Sequence, residues 1–173
     1  MAYTYDYPRP SVTVDAIVFW LQPQDLQVLL IKRKQDPFKG CWSFPGGFMD
    51  INETPEEAVT RELAEETGLK LKHMVQIGAF GAVNRDPRQR TISIAYLSVL
   101  NEDPGPIEGD DDAAEACWFS LHDMPLRLAF DHKDIFTQAK VFTDMYFRTA
   151  VAGSDEAFGL SQTEIDQLIN HTA

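Results

Sequence analysis

Three glutamates, Glu62, Glu65 and Glu66, crowd into the stretch RELAEETG at residues 61–68. At about 100° per residue on a helix they fall within one quadrant or slightly more. Val59 and Leu63 take the adjacent arc and face the core, so the carboxylates edge a buried face instead of pointing fully into water. Arg61 reaches Glu65 at i,i+4, but one arginine does not neutralise three acids. Like charges beside a core are costly unless a cation sits among them. A hard divalent ion, Mg²⁺ or Mn²⁺, takes carboxylate oxygens and keeps places for water and phosphate. Standing alone, E-x-x-E-E is more simply a solvated acidic face.

The residues around the acids narrow the choice. The run GFMDINETPEEAVTRELAEETGL, Gly47 to Leu69, fits G-x5-E-x7-R-E-U-x-E-E-x-G-U, where U is apolar. Gly47, Glu53, Arg61, Glu62, Glu65, Glu66 and Gly68 are its specified identities, Leu63 and Leu69 fill the apolar slots, and no position departs. This run resembles the Nudix box, and the chain is similar to Nudix hydrolases over about residues 10–125. The resemblance implies an α/β (α+β) fold, a mixed β-sheet sandwiched between helices. It also implies hydrolysis of a nucleoside diphosphate linked to another group. Carried over residue by residue, it makes Glu62 and Glu66 metal ligands, Glu65 a ligand or proton acceptor, and the Gly46 carbonyl a backbone ligand. Glu53 and Arg61 then support loop and helix through a salt bridge, while Gly47 and Gly68 serve the backbone. Metals bridging the diphosphate would neutralise its charge and activate a water. A carboxylate takes the proton, and in this family it is often supplied from outside the box. Glu115 and the Asp110, Asp111, Asp112 cluster are candidates, although any single one of them reads more simply as part of an acidic turn with no catalytic role.

A second group of residues bears on the substrate. Arg85, Arg88 and Arg90 cluster in NRDPRQR, inside an otherwise acidic chain. Guanidinium forks suit phosphate oxygens and ribose hydroxyls, and a solvated loop offsetting negative surface is the plain alternative. RDPR followed by RTISIAY, together with LAFDHKDI near residue 130, is similar to the ADP-ribose pyrophosphatase branch of the family. That likeness implies ADP-ribose as substrate, cleaved to AMP and ribose 5-phosphate, and leaves NADH, other nucleotide sugars and oxidised nucleotides open. Arg33 or Lys34 could add a phosphate contact. Tyr7, Trp42, Phe44 and Phe48 offer rings for adenine, with core or surface packing as the alternative for each. Nudix-like transcription regulators share the YPRPSVTVD style of opening and the RDPR-type loop, and sense ADP-ribose while binding DNA through a winged-helix domain. About 20 residues follow residue 151 and none of them is Lys or Arg, which disfavours that alternative here.

These groups must be positioned by strands and one capped helix. SVTVDAIVFW (11–20) and LQVLLIKR (26–33) read as strands. CWSFPGG is a brief strand ending at a glycine pair, and QIGAFGAV (76–83), TISIAYLSVL (91–100) and EACWFSL (115–121) complete the set. Thr54, Pro55 and Glu57 form a T-x-x-E helix start, and Gly68 follows Thr67 as a C-terminal stop. Ile135, Ala139, Phe142 and Tyr146 recur at helical spacing in a segment from Asp131 to about Val151. Ser161 and Glu164 cap a last short helix. The expected organisation is a Nudix domain over 1–151 and a short helical extension over 152–173.

Bulk composition agrees with one compact domain of 173 residues. A net charge of −12 argues against nucleic acid or an anionic membrane as the main partner. Cys41 and Cys117 match no metal spacing and read as reduced, small buried residues. Neither a secretory signal nor a membrane-length apolar run is present, so a cytoplasmic protein is expected. The family likeness leaves room for a homodimer.

Overall fold

The computed structural model describes residues 4–71, 73–109 and 113–173. The candidate bases Asp110, Asp111 and Asp112 lie outside the described residues. Ten elements follow in order: β1 (Ser11–Gln22), β2 (Asp25–Arg33), β3 (Trp42–Ser43), β4 (Gly46–Phe48), α1 (Pro55–Thr67), β5 (Val75–Phe80), β6 (Thr91–Leu100), β7 (Ala113–Ser120), α2 (His132–Phe147) and α3 (Gln162–Thr172).

The strands form one mixed sheet in the order β3-β2-β1-β6-β5, with β4 added to β1 and β7 to β2. β1 and β6 run parallel over their full overlap, Ser11 against Thr91 through Trp20 against Leu100. The other pairings are antiparallel. β1 meets β2 only at the hairpin end, Phe19 against Val28 to Gln22 against Asp25. Beyond that the two strands splay, and the segment carrying β3 and β4 fills the gap. β4 pairs with Thr13–Asp15 of β1, while β3 pairs with Ile31 and Lys32 of β2.

Alternation along β1 explains its near-continuous apolar run. Ile17, Phe19 and Leu21 face a core completed by Ile135 and Ala139 of α2 and Ile165 and Leu168 of α3. Val14, Ala16 and Val18 face the opposite core, with Ala58, Val59 and Leu63 of α1. A strand buried on both faces needs apolar residues at every position. The expected sandwich of helices about a mixed sheet is present. Residues of 152–173 share the first core, since Ala157, Leu160, Ile165 and Leu168 are buried within it.

Helix α1 starts and stops on local chemistry. The Thr54 hydroxyl accepts from the Glu57 N–H while the Glu57 carboxylate accepts from the Thr54 N–H. Gly68 ends the helix at φ 74, a left-handed conformation that glycine adopts without a steric cost. Ser161 and Glu164 cap α3 by the same reciprocal pair. α2 ends at Phe147, short of the expected Val151. The two cysteines are unpaired and half-buried, where full burial was expected. Among the described residues no helix is long and apolar enough to cross a membrane.

Candidate active site

A cavity of about 350 Å³ opens where β1 and β2 splay. One side is the carboxylate edge of α1. The other is built from Arg85, Asp86 and Arg88 of the loop after β5, with Phe130 and His132 at the start of α2.

The glycine pair brings α1 close. A Cβ on Gly46 would lie 2.0 Å from the Val14 carbonyl oxygen, so no side chain fits between β4 and β1 there. A Cβ on Gly47 would lie 2.5 Å from the Glu62 carboxylate, which therefore rests against bare backbone. The Gly46 N–H donates to Glu66 Oε2 at 2.8 Å, tying strand to helix. Glu66 is buried, 6% exposed, despite its charge. Burial pushes the Glu62 carboxyl above the usual carboxylate range, with Arg61 pulling it partly back.

Arg61 serves more partners than the expected loop salt bridge. It donates to Glu53 at 2.6 and 3.0 Å, to the Phe48 carbonyl at 3.2 Å, to Glu62 at 2.9 Å and to Glu65 at 3.0 Å. These bonds hold the Glu53 carboxyl down to about 2, helped by the Asp50 N–H. Nη1 of Arg61 therefore stands between Glu62 and Glu65. Among the described residues no three acidic or imidazole side chains converge on one point. In kind, the donors still fit a hard divalent cation. They are all oxygens, one is poorly solvated, and the Glu62 carboxylate occupies a cradle that a Cβ on Gly47 would fill. A cation binding there competes with Arg61 for its acceptors.

The arginines expected to bind substrate part company. Arg33, Arg85 and Arg88 line the cavity. Arg33 lies over the Phe130 ring at 4.9 Å and donates to the Pro37 carbonyl. Arg88 is held by Asp86 through bonds of 2.7 and 3.0 Å and lies over Phe48 and Phe130. Arg90 instead donates to the carbonyls of Ala82 and Thr91 and is absent from the cavity lining. Glu115 on β7 is also outside the lining and pairs with Lys32 at 3.3 Å on an exposed surface.

At the cavity's buried end sequence reasoning named Arg85 but passed over Asp15, Asp131 and His132. Asp15 of β1 accepts from the Ser93 hydroxyl of β6 through a short hydrogen bond. Arg85 donates to both oxygens of Asp131, at 2.7 and 2.9 Å, and its side chain is 4% exposed. His132 is buried, and its Nδ1 accepts the Phe44 N–H at 3.0 Å. Burial keeps this imidazole below its usual value. The neutral ring thus carries its proton on Nε2, which faces Asp15 at 3.5 Å. Two signals were present. One was an aspartate set between Val14 and the apolar run 16–21 of a strand, and the other was the DH pair in LAFDHKDI.

Comparison with known proteins adds an independent line. The profile of the NUDIX domain matches residues 12–139. The ADP-ribose pyrophosphatase of Methanocaldococcus jannaschii is 46% identical over 129 residues, 75% of this chain and 72% of that protein. The ADPR responsive transcriptional repressor NtrR of Acinetobacter baylyi is 34% identical over 78% of this chain, which spans about half of the repressor, 54%. Among solved structures, the NUDIX domain of Shewanella oneidensis NrtR complexed with ADP ribose superposes with a TM-score of 0.71 at 33% identity, covering 79% of this chain and 92% of that one.

Proposed function

The chain belongs to the NUDIX domain family, and from that membership we propose that it hydrolyses ADP-ribose to AMP and ribose 5-phosphate with Mg²⁺, Mn²⁺ serving as a substitute. The observation that carries the reading is the buried Glu66 bonded to the Gly46 N–H at the edge of a cavity whose volume, about 350 Å³, lies within the range of ligand pockets. Glu62, Glu66 and the Gly46 carbonyl would hold the cation, and Arg61, anchored by Glu53, orders the acids around it. When bound, the cation neutralises the diphosphate and lowers the pKa of a ligated water. Glu65, the most exposed of the three glutamates, accepts the proton of the attacking water. The P–O–P bridge breaks, and its oxygen leaves on one of the two phosphate products. Arg33 and Arg88 orient the substrate from the opposite wall, and Arg85 sets that wall through Asp131.

Incubation with ADP-ribose and Mg²⁺ should release AMP and ribose 5-phosphate in equal amounts. Absence of AMP would overturn the enzyme reading. The likeness to the A. baylyi repressor supports a second reading, a regulator that binds DNA and senses ADP-ribose. Titration with labelled duplex DNA separates the two, because a net charge of −12 predicts no binding at moderate salt. A cytoplasmic homodimer completes the proposal, and light scattering reads its mass.

A further inference from the structure

The buried end of the cavity carries polar groups that diphosphate chemistry does not use. Asp15, Arg85 and His132 all line it, and each side chain is more than nine-tenths buried. Their mutual bonds are incomplete. Asp15 Oδ2 accepts from Ser93, but among the described residues Oδ1 accepts no hydrogen bond. His132 Nε2 stands 3.5 Å from it, and Arg85 Nη2 stands 3.8 Å from the other oxygen. A carboxylate offers about four acceptor sites, so Asp15, lining the cavity with one oxygen bonded to Ser93, has acceptor capacity left for a ligand there. With Nδ1 committed to the Phe44 N–H, the His132 proton sits on Nε2, which among the described residues makes no hydrogen bond and faces Asp15 Oδ1 at 3.5 Å. Ser43, in the same lining, has a buried hydroxyl without a partner among the described residues.

We propose that this floor, formed by Asp15, His132 and Arg85, binds the vicinal diol of a ribose unit; the inference rests on the reading above that the cavity takes a nucleoside diphosphate sugar. Each sugar hydroxyl both donates and accepts. A pair of them can donate to Asp15 and accept from His132 Nε2–H and from the Arg85 guanidinium, which supplies the bonds the floor lacks. A second phosphate does not suit the place. Arg85 is already held by Asp131 and faced by Asp15, so no net positive charge remains for an anion. An apolar group fails as well, since it leaves the Asp15 oxygen and the His132 proton buried and unbonded. The location is consistent with one ligand reaching both ends. Asp15 pairs directly with Gly46, the residue whose N–H binds Glu66.

The diol could belong to the adenosine or to the distal ribose, and two dideoxy analogues of ADP-ribose, one for each sugar, distinguish them. With the Mg²⁺-loaded enzyme, one analogue should lose about 100-fold in kcat/KM and the other little. Asp15→Asn should lose heavily on ADP-ribose and less than about threefold on the sensitive analogue, the coupling expected of a direct contact. His132→Gln carries the same comparison if Asp15→Asn does not fold. Equal turnover of all three compounds by the parent would overturn the proposal, as would an equal loss on all three in the variants. Should ADP-ribose not be hydrolysed at all, the enzyme reading fails separately. Calorimetric titration of the same three ligands then decides the diol site, with equal affinities overturning it.

Discussion

Two arginines stand on opposite walls of the cavity and hold acids in different ways. Arg61 gathers its acceptors from within 18 residues of chain, and its side chain is 29% exposed. Arg85 draws on Asp131 and Asp15, 46 and 70 positions away in sequence, at 4% exposure. The first network is local, wet and open to exchange. A cation can take Glu62 from Arg61 because water, Glu53 and Glu65 remain to satisfy the guanidinium. The second is largely buried, so solvent replaces a lost partner poorly. Charge pairs near water are worth little individually, whereas breaking a buried one leaves an uncompensated charge. The cavity thus has one adjustable wall and one rigid wall, which suits exchangeable metal chemistry facing a fixed substrate seat.

The contrast can be broken by substitution, with the largest effect expected at the adjustable wall. Glu66→Gln keeps an acceptor for the Gly46 N–H but removes the charge. Turnover should fall at least about 100-fold, while the thermal midpoint stays within about 3 °C. Activity within a few-fold of the parent would remove Glu66 from the metal site. On the rigid wall, Arg85→Leu strands Asp131 and Asp15 and should cost about 3–5 kcal/mol, roughly 10 °C in midpoint. Asp131 makes no side-chain cap bond to α2, so Arg85→Leu with Asp131→Leu should recover part of that loss. A double variant no more stable than Arg85→Leu alone would contradict the stranded-charge account.

A smaller effect concerns acid stability. Glu53 has an ordinary value of 4.5 that Arg61 and the Asp50 N–H lower to about 2. Its contribution to stability is therefore complete above 4.5 and is lost as the pH falls toward 2. Glu53→Gln lacks that contribution, so its melting curve should lie below the parent at pH 6 and converge with it near pH 2. Parallel curves would mean that the pair does not act through charge. Smallest of all, Glu115→Gln should change stability by less than about 0.5 kcal/mol, since its pair with Lys32 is exposed. Turnover should stay within about twofold, and a tenfold loss would move the proton acceptor to β7.

Legibility in the sequence followed the range of the interactions involved. The capping box at Thr54, the stop at Gly68 and the acids of α1 lie within a few residues of one another. Helix periodicity and cap chemistry were therefore enough to place them. The approach of Gly46 to Val14 and of Gly47 to Glu62 was invisible, because it depends on β4 pairing with β1. RDPR was legible as a cluster of cations, but its separate roles were not. Arg85 turns inward because Asp131 waits at the start of α2, while Arg90 turns to the carbonyls of Ala82 and Thr91.

By itself, the sequence determined the family, the carboxylate helix and most of the strands, although it read β3 and β4 as one, and it gave the reason to propose a cation beside that helix. Those properties rest on contacts between residues near in the chain, where spacing implies geometry. Only the tertiary structure decided which arginines face the cavity, that Asp15 and His132 meet beneath it, and that Glu115 stands apart from it. These are matters of sheet order and burial. A parallel β1–β6 pairing and a distant helix bring charged groups into one cavity, and no periodicity in the chain records that meeting.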